Sequence, residues 1–279
     1  MFTGYNNKFN IEKPDELLEV GQLTKKMTVI PIDNLDLTAG ALRAKLRQLA
    51  DKDKAVILKG FFKTGPGEYG AGDIFLGVIV PKARALAKEF RDLSLKDAFS
   101  LLRSRVHEER LTALFILILK FNAGDTVQRE KIYRLYLKHA KFINNWDLVD
   151  LSAPNIVGTF LGDKSRKPLY ALASSANLWE RRIAILATFY FIKRADFKDC
   201  LAISRLLLAD KEDLIHKAAG WMLREVGKKD LAIEDKFLKA HYRRMPRTML
   251  RYAIEKFPEE KRRAYLKGDI ISRAMKSGE

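Results

Sequence analysis

From Leu37 onward, almost every stretch between turn-forming residues carries its apolar side chains three and four apart. Leu114, Leu117 and Ile118 make one such stripe, and Ile183, Leu186, Ala187 and Tyr190 another. Because an α-helix completes a turn in about 3.6 residues, this spacing gathers apolar groups on one face, whereas a strand would alternate them. Strand-like alternation is hard to find, so the chain is expected to be all-α. Pro81, Ser94, Asp125, Asp147, Asp196, Asp230, Pro246 and Pro258 stand where a cap or first-turn residue opens a helix. They divide the body into roughly a dozen short helices joined by tight turns.

A weak repeat runs through these helices. Arg110-Leu-Thr-Ala-Leu, Arg182-Ile-Ala-Ile-Leu, Lys217-Ala-Ala-Gly-Trp and Arg247-Thr-Met-Leu-Arg each put a basic residue ahead of an apolar helix. The first gap is about twice the second, and the missing member falls near Asp147. A period in the mid-thirties built from two helices marks an α-solenoid, in which each pair buries one face on its neighbours and leaves a continuous concave surface. Taken singly, each basic residue is most simply a solvated helix start. A cation near a helix N-terminus opposes the helix dipole, however. Arg110, Arg182, Lys217 and Arg247 in register are therefore expected to form a phosphate track on the concave face.

Charge supports a polyanionic partner. Lys and Arg number 52 against 35 Asp and Glu, a formal net charge of +17. Such a surface attracts nucleic acid from a distance. A membrane is not expected, because the basic residues are spread over many helices instead of flanking one lipid-inserting helix. The most apolar stretch, Leu111 to Leu119, is bracketed by Arg110 and Lys120 and is far shorter than the roughly 20 residues that span a bilayer; it is expected to be a buried helix. Met1 to Asn10 is polar, with no apolar run of the kind a secretory signal needs, so the expected location is the cytoplasm, on the nucleoid when DNA is bound. Cys200 is the only cysteine, which leaves no internal disulfide and no Cys-based zinc site. His107, His139, His216 and His241 lie in separate segments without metal-ligand spacing, so no metal is expected. The glycine-rich run from Lys63 to Asp73 lacks a Gly-Lys-Ser/Thr ending and a preceding strand, so no nucleotide cofactor is expected and a structural turn is the leading reading. Residues 1–34 are read as an extension, 35–270 as the helical body and 271–279 as a tail.

The segment Asn144-Asn145-Trp146-Asp147-Leu148-Val149-Asp150 carries the most chemistry. With Asn145 or Asp147 as cap, Trp146 and Asp150 fall on one side of a helix's first turn. On pattern alone, a core tryptophan and a carboxylate complementing the helix dipole is the plainer account. An indole face beside a carboxylate also suits a cation. An N3- or N7-alkylated purine is cationic and a good leaving group, and its departure creates an oxocarbenium-like deoxyribose that an aspartate can stabilise. A second indole, Trp221, lies one turn into a later helix behind small residues, and Arg181 and Arg182 follow Trp179 at the start of another.

Several of these features together resemble the AlkD-type DNA alkylation repair proteins, a family of HEAT-like-repeat DNA glycosylases. The resemblance runs in order through Phe61-Phe62-Lys63-Thr64-Gly65, Asp73-Ile-Phe-Leu-Gly-Val78 and Pro81, then Trp146-Asp-Leu-Val-Asp150 with Thr159-Phe-Leu-Gly162. It continues in Trp179-Glu-Arg-Arg-Ile-Ala-Ile185 and Lys217-Ala-Ala-Gly-Trp-Met-Leu-Arg-Glu225, and so covers roughly residues 35 to 260. It implies a curved α-solenoid of HEAT-like helix pairs that grips duplex DNA on its concave basic face and excises cationic alkylpurines, leaving an abasic site; a monomer is the simplest form for a protein wrapping duplex DNA. It places the catalytic aromatic and carboxylate on Trp146 and Asp150, a second aromatic on Trp221 and a phosphate-gripping arginine on Arg182. No lysine can be assigned as a Schiff-base nucleophile, so a monofunctional glycosylase is expected. The competing expectation is a non-enzymatic helical-repeat scaffold that binds DNA or protein.

Overall fold

The computed structural model describes residues 37–270, so the expected extension 1–34 and tail 271–279 lie outside the described residues. Among the described residues the fold is all-α. The helices are α1 (Ala39–Gln48), α2 (Lys52–Phe61), α3 (Val80–Glu89), α4 (Leu95–Leu102), α5 (His107–Ala123), α6 (Thr126–Lys138), α7 (Trp146–Ala153), α8 (Lys167–Ala173), α9 (Leu178–Ala187), α10 (Phe189–Ile192), α11 (Lys198–Leu206), α12 (Asp213–Lys229), α13 (Leu231–His241), α14 (Arg247–Ala253) and α15 (Glu259–Lys267). The single extended feature among them is an isolated bridge between Ile74 and Val106.

The punctuation residues act through two mechanisms. Ser94, Asp125 and Asp230 are side-chain N-caps, accepting the amides of Asp97, Gln128 and Ile233 at the starts of α4, α6 and α13. Pro246 and Pro258 precede α14 and α15, and Pro81 stands in the first turn of α3, where a missing N–H leaves no helical bond unmade. Asp147 sits one residue inside α7, and Asp196 lies just outside α11. Thr38, Asp51 and Asn177 are further side-chain caps.

The chain divides into two compact units at Leu151 and Ser152. In the first, α5 packs against α1, α3, α4 and α6. Its residues from His107 to Leu117 are buried around the whole circumference, as the unbroken apolar run requires. The last turns of α5 are partly open, with Ile118 and Leu119 half-buried.

In the second unit, α12 packs against α9 on one side and α14 on the other. Gly220 of α12 makes that closeness possible, since a Cβ there would collide with the carbonyl oxygen of Met249 and the Cβ of Tyr252. Gly158, in the π-turn Pro154–Gly158, meets Ala187 and Tyr190 in the same way and at the same sequence spacing. The repeat sensed in the sequence is therefore also a repeat of backbone contact, with a small residue admitting the next helix's carbonyl. Gly220→Ala is expected to destabilise the protein by about 1–3 kcal/mol, the usual effect of overpacking, measured as a fall in the urea midpoint at unchanged slope.

Glu234 of α13 is buried, with Oε1 lacking a hydrogen-bond partner and the carboxyl set against Gly227. Burial pushes its pKa up to about 8, with Arg224 opposing and Asp235 and Glu225 adding to the rise. The unfolded chain titrates this group near 4.5, so between the two values the folded state holds the extra proton. Stability is then full below the unfolded value and falls as pH rises towards 8, at up to roughly 1.4 kcal/mol per pH unit. Glu234→Gln is expected to flatten that slope in urea titrations between these limits; an unchanged slope would show that Glu234 is ionised in the fold.

Candidate active site

α7 opens on two polar residues with local duties. Asn145 Oδ1 accepts the Trp146 amide at 2.8 Å and its carbonyl accepts that of Val149, while Asp147 Oδ1 accepts the Leu148 amide at 2.8 Å. The helix so started carries Trp146 and Asp150 one turn apart, both half-buried. The Trp146 indole stacks on Phe62 at 5.2 Å between centroids and meets Phe61 edge-on at 5.7 Å.

Behind Trp146 lies a buried ionic cluster. His107 Nε2 stands 2.7 Å from Asp147 Oδ2, and Nδ1 stands 3.7 Å from Asp73 Oδ2. Arg110 donates to Asp73 Oδ2 at 2.7 Å and to the Ser104 carbonyl at 2.9 Å. The His107 ring is flanked by Phe75 at 4.6 Å and Phe62 at 4.9 Å. Burial and Arg110, whose Nη2 stands 3.5 Å from His107 Nδ1, work against a charge on His107, but Asp147 and Asp73 outweigh them and raise the pKa to about 9. Asp73 shows the mirror effect: burial favours its neutral form, yet His107 and Arg110 hold its pKa below the usual carboxylate value.

The glycine-rich run is the turn that delivers Asp73 and Phe75 to this cluster. Gly67 and Gly72 have φ of 77° and 87°, and Gly70 lies where a Cβ would strike the Phe62 carbonyl. The run folds on itself, with the Gly70 amide donating to the Lys63 carbonyl at 3.0 Å.

The expected phosphate track is built differently at each position. Arg110 is 2% exposed, with its guanidinium engaged by Asp73 and Ser104; it ties the turn to α5 instead of reaching outward. Arg182, on α9, is 4% exposed and donates to the Leu214 carbonyl of α12. Lys217 is half-buried and pairs with Asp213 at 2.7 Å. Arg247 is exposed and donates to the Leu266 carbonyl at 2.9 Å. Trp221 shares α12 with Lys217, is half-buried, and donates from Nε1 to Glu225 Oε1 at 3.0 Å. The four basic residues are the fourth of α5, the fifth of α9, the fifth of α12 and the first of α14, so all lie near helix starts but not at one common position.

Sequence reasoning missed the cluster behind Trp146. Its signal lay in His107-Glu108-Glu109-Arg110, four polar residues leading the most apolar helix. Successive residues are about 100° apart around a helix, so four in a row cannot share one solvated face. All four are buried, at 2%, 1%, 2% and 2% exposure. Glu108 takes backbone amides and Glu109 takes Arg43 at 2.9 Å. Cys200 is a buried free thiol whose pKa is pushed up to about 12 by burial, in keeping with a packing role.

The all-α arrangement is shared with a solved structure described as a predicted DNA alkylation repair enzyme from Enterococcus faecalis. The two superpose with a TM-score of 0.60 at 15% identity, over 75% of this chain and 97% of that one; at that identity the likeness is one of fold. The profile of the family described as DNA alkylation repair enzyme matches residues 42–257, and this chain belongs to that family. No curated relative matches it. Among the described residues, no helix is long and apolar enough to cross a membrane.

Proposed function

We propose that this protein is a monofunctional DNA glycosylase that hydrolyses the N-glycosidic bond of cationic N3- and N7-alkylated purines in duplex DNA, leaving an abasic site. The observation that carries the reading is the Trp146–Asp150 pair: an indole and a carboxylate one turn apart, half-exposed on a helix start that is anchored from behind, in a chain of the DNA alkylation repair family.

The chemistry suits that pair. The alkylated base already bears a positive charge, so it leaves without a proton donor. Charge then passes to C1′ and the ring oxygen of the sugar. Asp150 stabilises that cation through space and orients the water that attacks C1′, and the indole face of Trp146 adds attraction for the same charge. Trp221 is proposed as the second aromatic, as the sequence resemblance implies. Lys217 and Arg247 are proposed to hold backbone phosphates, and Arg182, 4% exposed and donating to the Leu214 carbonyl, to brace α9 against α12. The Lys217–Asp213 pair is partly exposed and worth only about 0.3–0.5 kcal/mol, so a phosphate readily replaces it. Arg110 is left out of this set because its guanidinium is buried, held by Asp73 and the Ser104 carbonyl. The protein needs no cofactor for these steps and is proposed to act as a monomer.

A duplex carrying one 7-methylguanine and another carrying one hypoxanthine separate this reading from its rival. The proposed enzyme releases the cationic base and leaves the neutral one. Salt-sensitive binding of both duplexes without release of either base identifies a non-enzymatic scaffold. Borohydride trapping of a covalent adduct would contradict the monofunctional assignment.

A further inference from the structure

We propose that His107 is a positioning residue for the reaction, which through Asp147 and the Phe62 ring fixes the first turn of α7 and with it the Trp146 indole and Asp150. The inference rests on the glycosylase reading for its catalytic consequence, though not for its structural one.

The cluster's charge balance calls for a cation at this position. Asp73 and Asp147 bring two buried carboxylates, and Arg110 supplies one positive charge. Arg110 is committed to Asp73, which leaves Asp147 with His107 as its cationic partner at 2.7 Å. The other charged groups of the same turn are directed elsewhere: Glu108 accepts the amides of Leu76, Gly77 and Val78, and Glu109 pairs with Arg43. A buried carboxylate without a partner is strongly unfavourable, so the imidazolium completes a neutral cluster.

The same ring is coupled to Trp146 by two routes. One runs through Asp147, whose Oδ2 meets His107 while its Oδ1 caps the Leu148 amide, so the histidine holds the backbone turn next to Trp146. The other runs through Phe62, which lies against His107 at 4.9 Å and against Trp146 at 5.2 Å. Loss of the imidazolium charge weakens the first route, and loss of the ring removes both. Asp150 follows because it rides one turn further on the same helix.

The test has a readout that needs no DNA. The indole C–H resonances of Trp146, assigned by their loss in Trp146→Phe, are followed by NMR across the alkaline range. In the parent they shift with a midpoint near 9, the value at which His107 loses its proton, and in His107→Gln the shift is absent. Single-turnover base release by His107→Gln falls by about tenfold or more, the scale on which small misplacements act, with DNA affinity little changed. Adding Asp147→Asn to His107→Gln restores most of that rate, because two amides again make a charge-balanced pair. Trp146 resonances that ignore the titration of His107, or a His107→Gln enzyme with the parent's rate, overturn the proposal. So does a loss in His107→Gln that Asp147→Asn leaves uncorrected, which marks His107 as general packing. A parent that releases no base removes the glycosylase reading, while the Trp146 titration still decides whether His107 positions α7.

Discussion

Asp150→Asn is expected to lower single-turnover release of alkylated purines by about 10²–10³-fold or more, the effect typical of removing one preorganised electrostatic contact from a transition state. Asparagine keeps the size of the side chain and its ability to hydrogen-bond, and loses only the charge. On the proposed chemistry that charge faces a cation which exists only while the glycosidic bond is breaking, so binding of intact DNA should change little. Stability should change little as well. The residue is half-buried in α7, and a carboxylate near a helix start contributes about 0.3–1 kcal/mol through the dipole. A folded Asp150→Asn protein with release within a few-fold of the parent would remove Asp150 from the mechanism and leave the alkylpurine reading without its main group.

The largest expected effect on stability belongs to Glu108→Ala. The Glu108 carboxylate accepts the Leu76 amide at 3.0 Å on each oxygen, the Gly77 amide at 2.8 Å and the Val78 amide at 3.2 Å. It gathers three successive backbone donors where Gly77 turns at φ of 82°. Only glycine fits there, because a Cβ would run into the Asp51 carbonyl. Alanine removes both acceptor oxygens and leaves the three amides facing one another across a gap. Each buried N–H left without a partner costs about 1–3 kcal/mol, so the substitution is expected to lower unfolding free energy by roughly 3–5 kcal/mol. Urea denaturation reads this directly. A loss below about 1 kcal/mol would mean that the turn finds other acceptors. Because the same segment carries Asp73 and Phe75, the weakened protein should also lose order around His107.

Much of the fold was legible because helices advertise themselves locally. The helical spacing of Leu114, Leu117 and Ile118 and the caps Ser94, Asp125 and Asp230 depend on neighbours within a turn or two; the caps act as the pattern implied, while α5 is buried all round to Leu117 instead of along one stripe. The repeat was legible in outline, since its basic residues all lie within the first five residues of a helix. What they touch was not. Arg110 reads as an exposed cation until Asp73, more than thirty residues away, is seen beside it. Charge pairing across such a distance leaves no period in a sequence. The Trp146–Asp150 spacing could be seen, whereas the cluster beneath it draws on α5, α7 and the glycine-rich turn, and only folding brings these together. The glycine pairs at Gly158 and Gly220 were hidden for the same reason, as their meaning lies in carbonyls of other helices.

The most direct test of the central claim is chromatographic analysis of methylated duplex DNA incubated with purified protein, asking in one reaction for free base and for the DNA left behind. The account predicts 3-methyladenine and 7-methylguanine in solution, and an equal number of abasic sites in unbroken strands. Methylated DNA recovered intact despite salt-sensitive binding by the protein would contradict it.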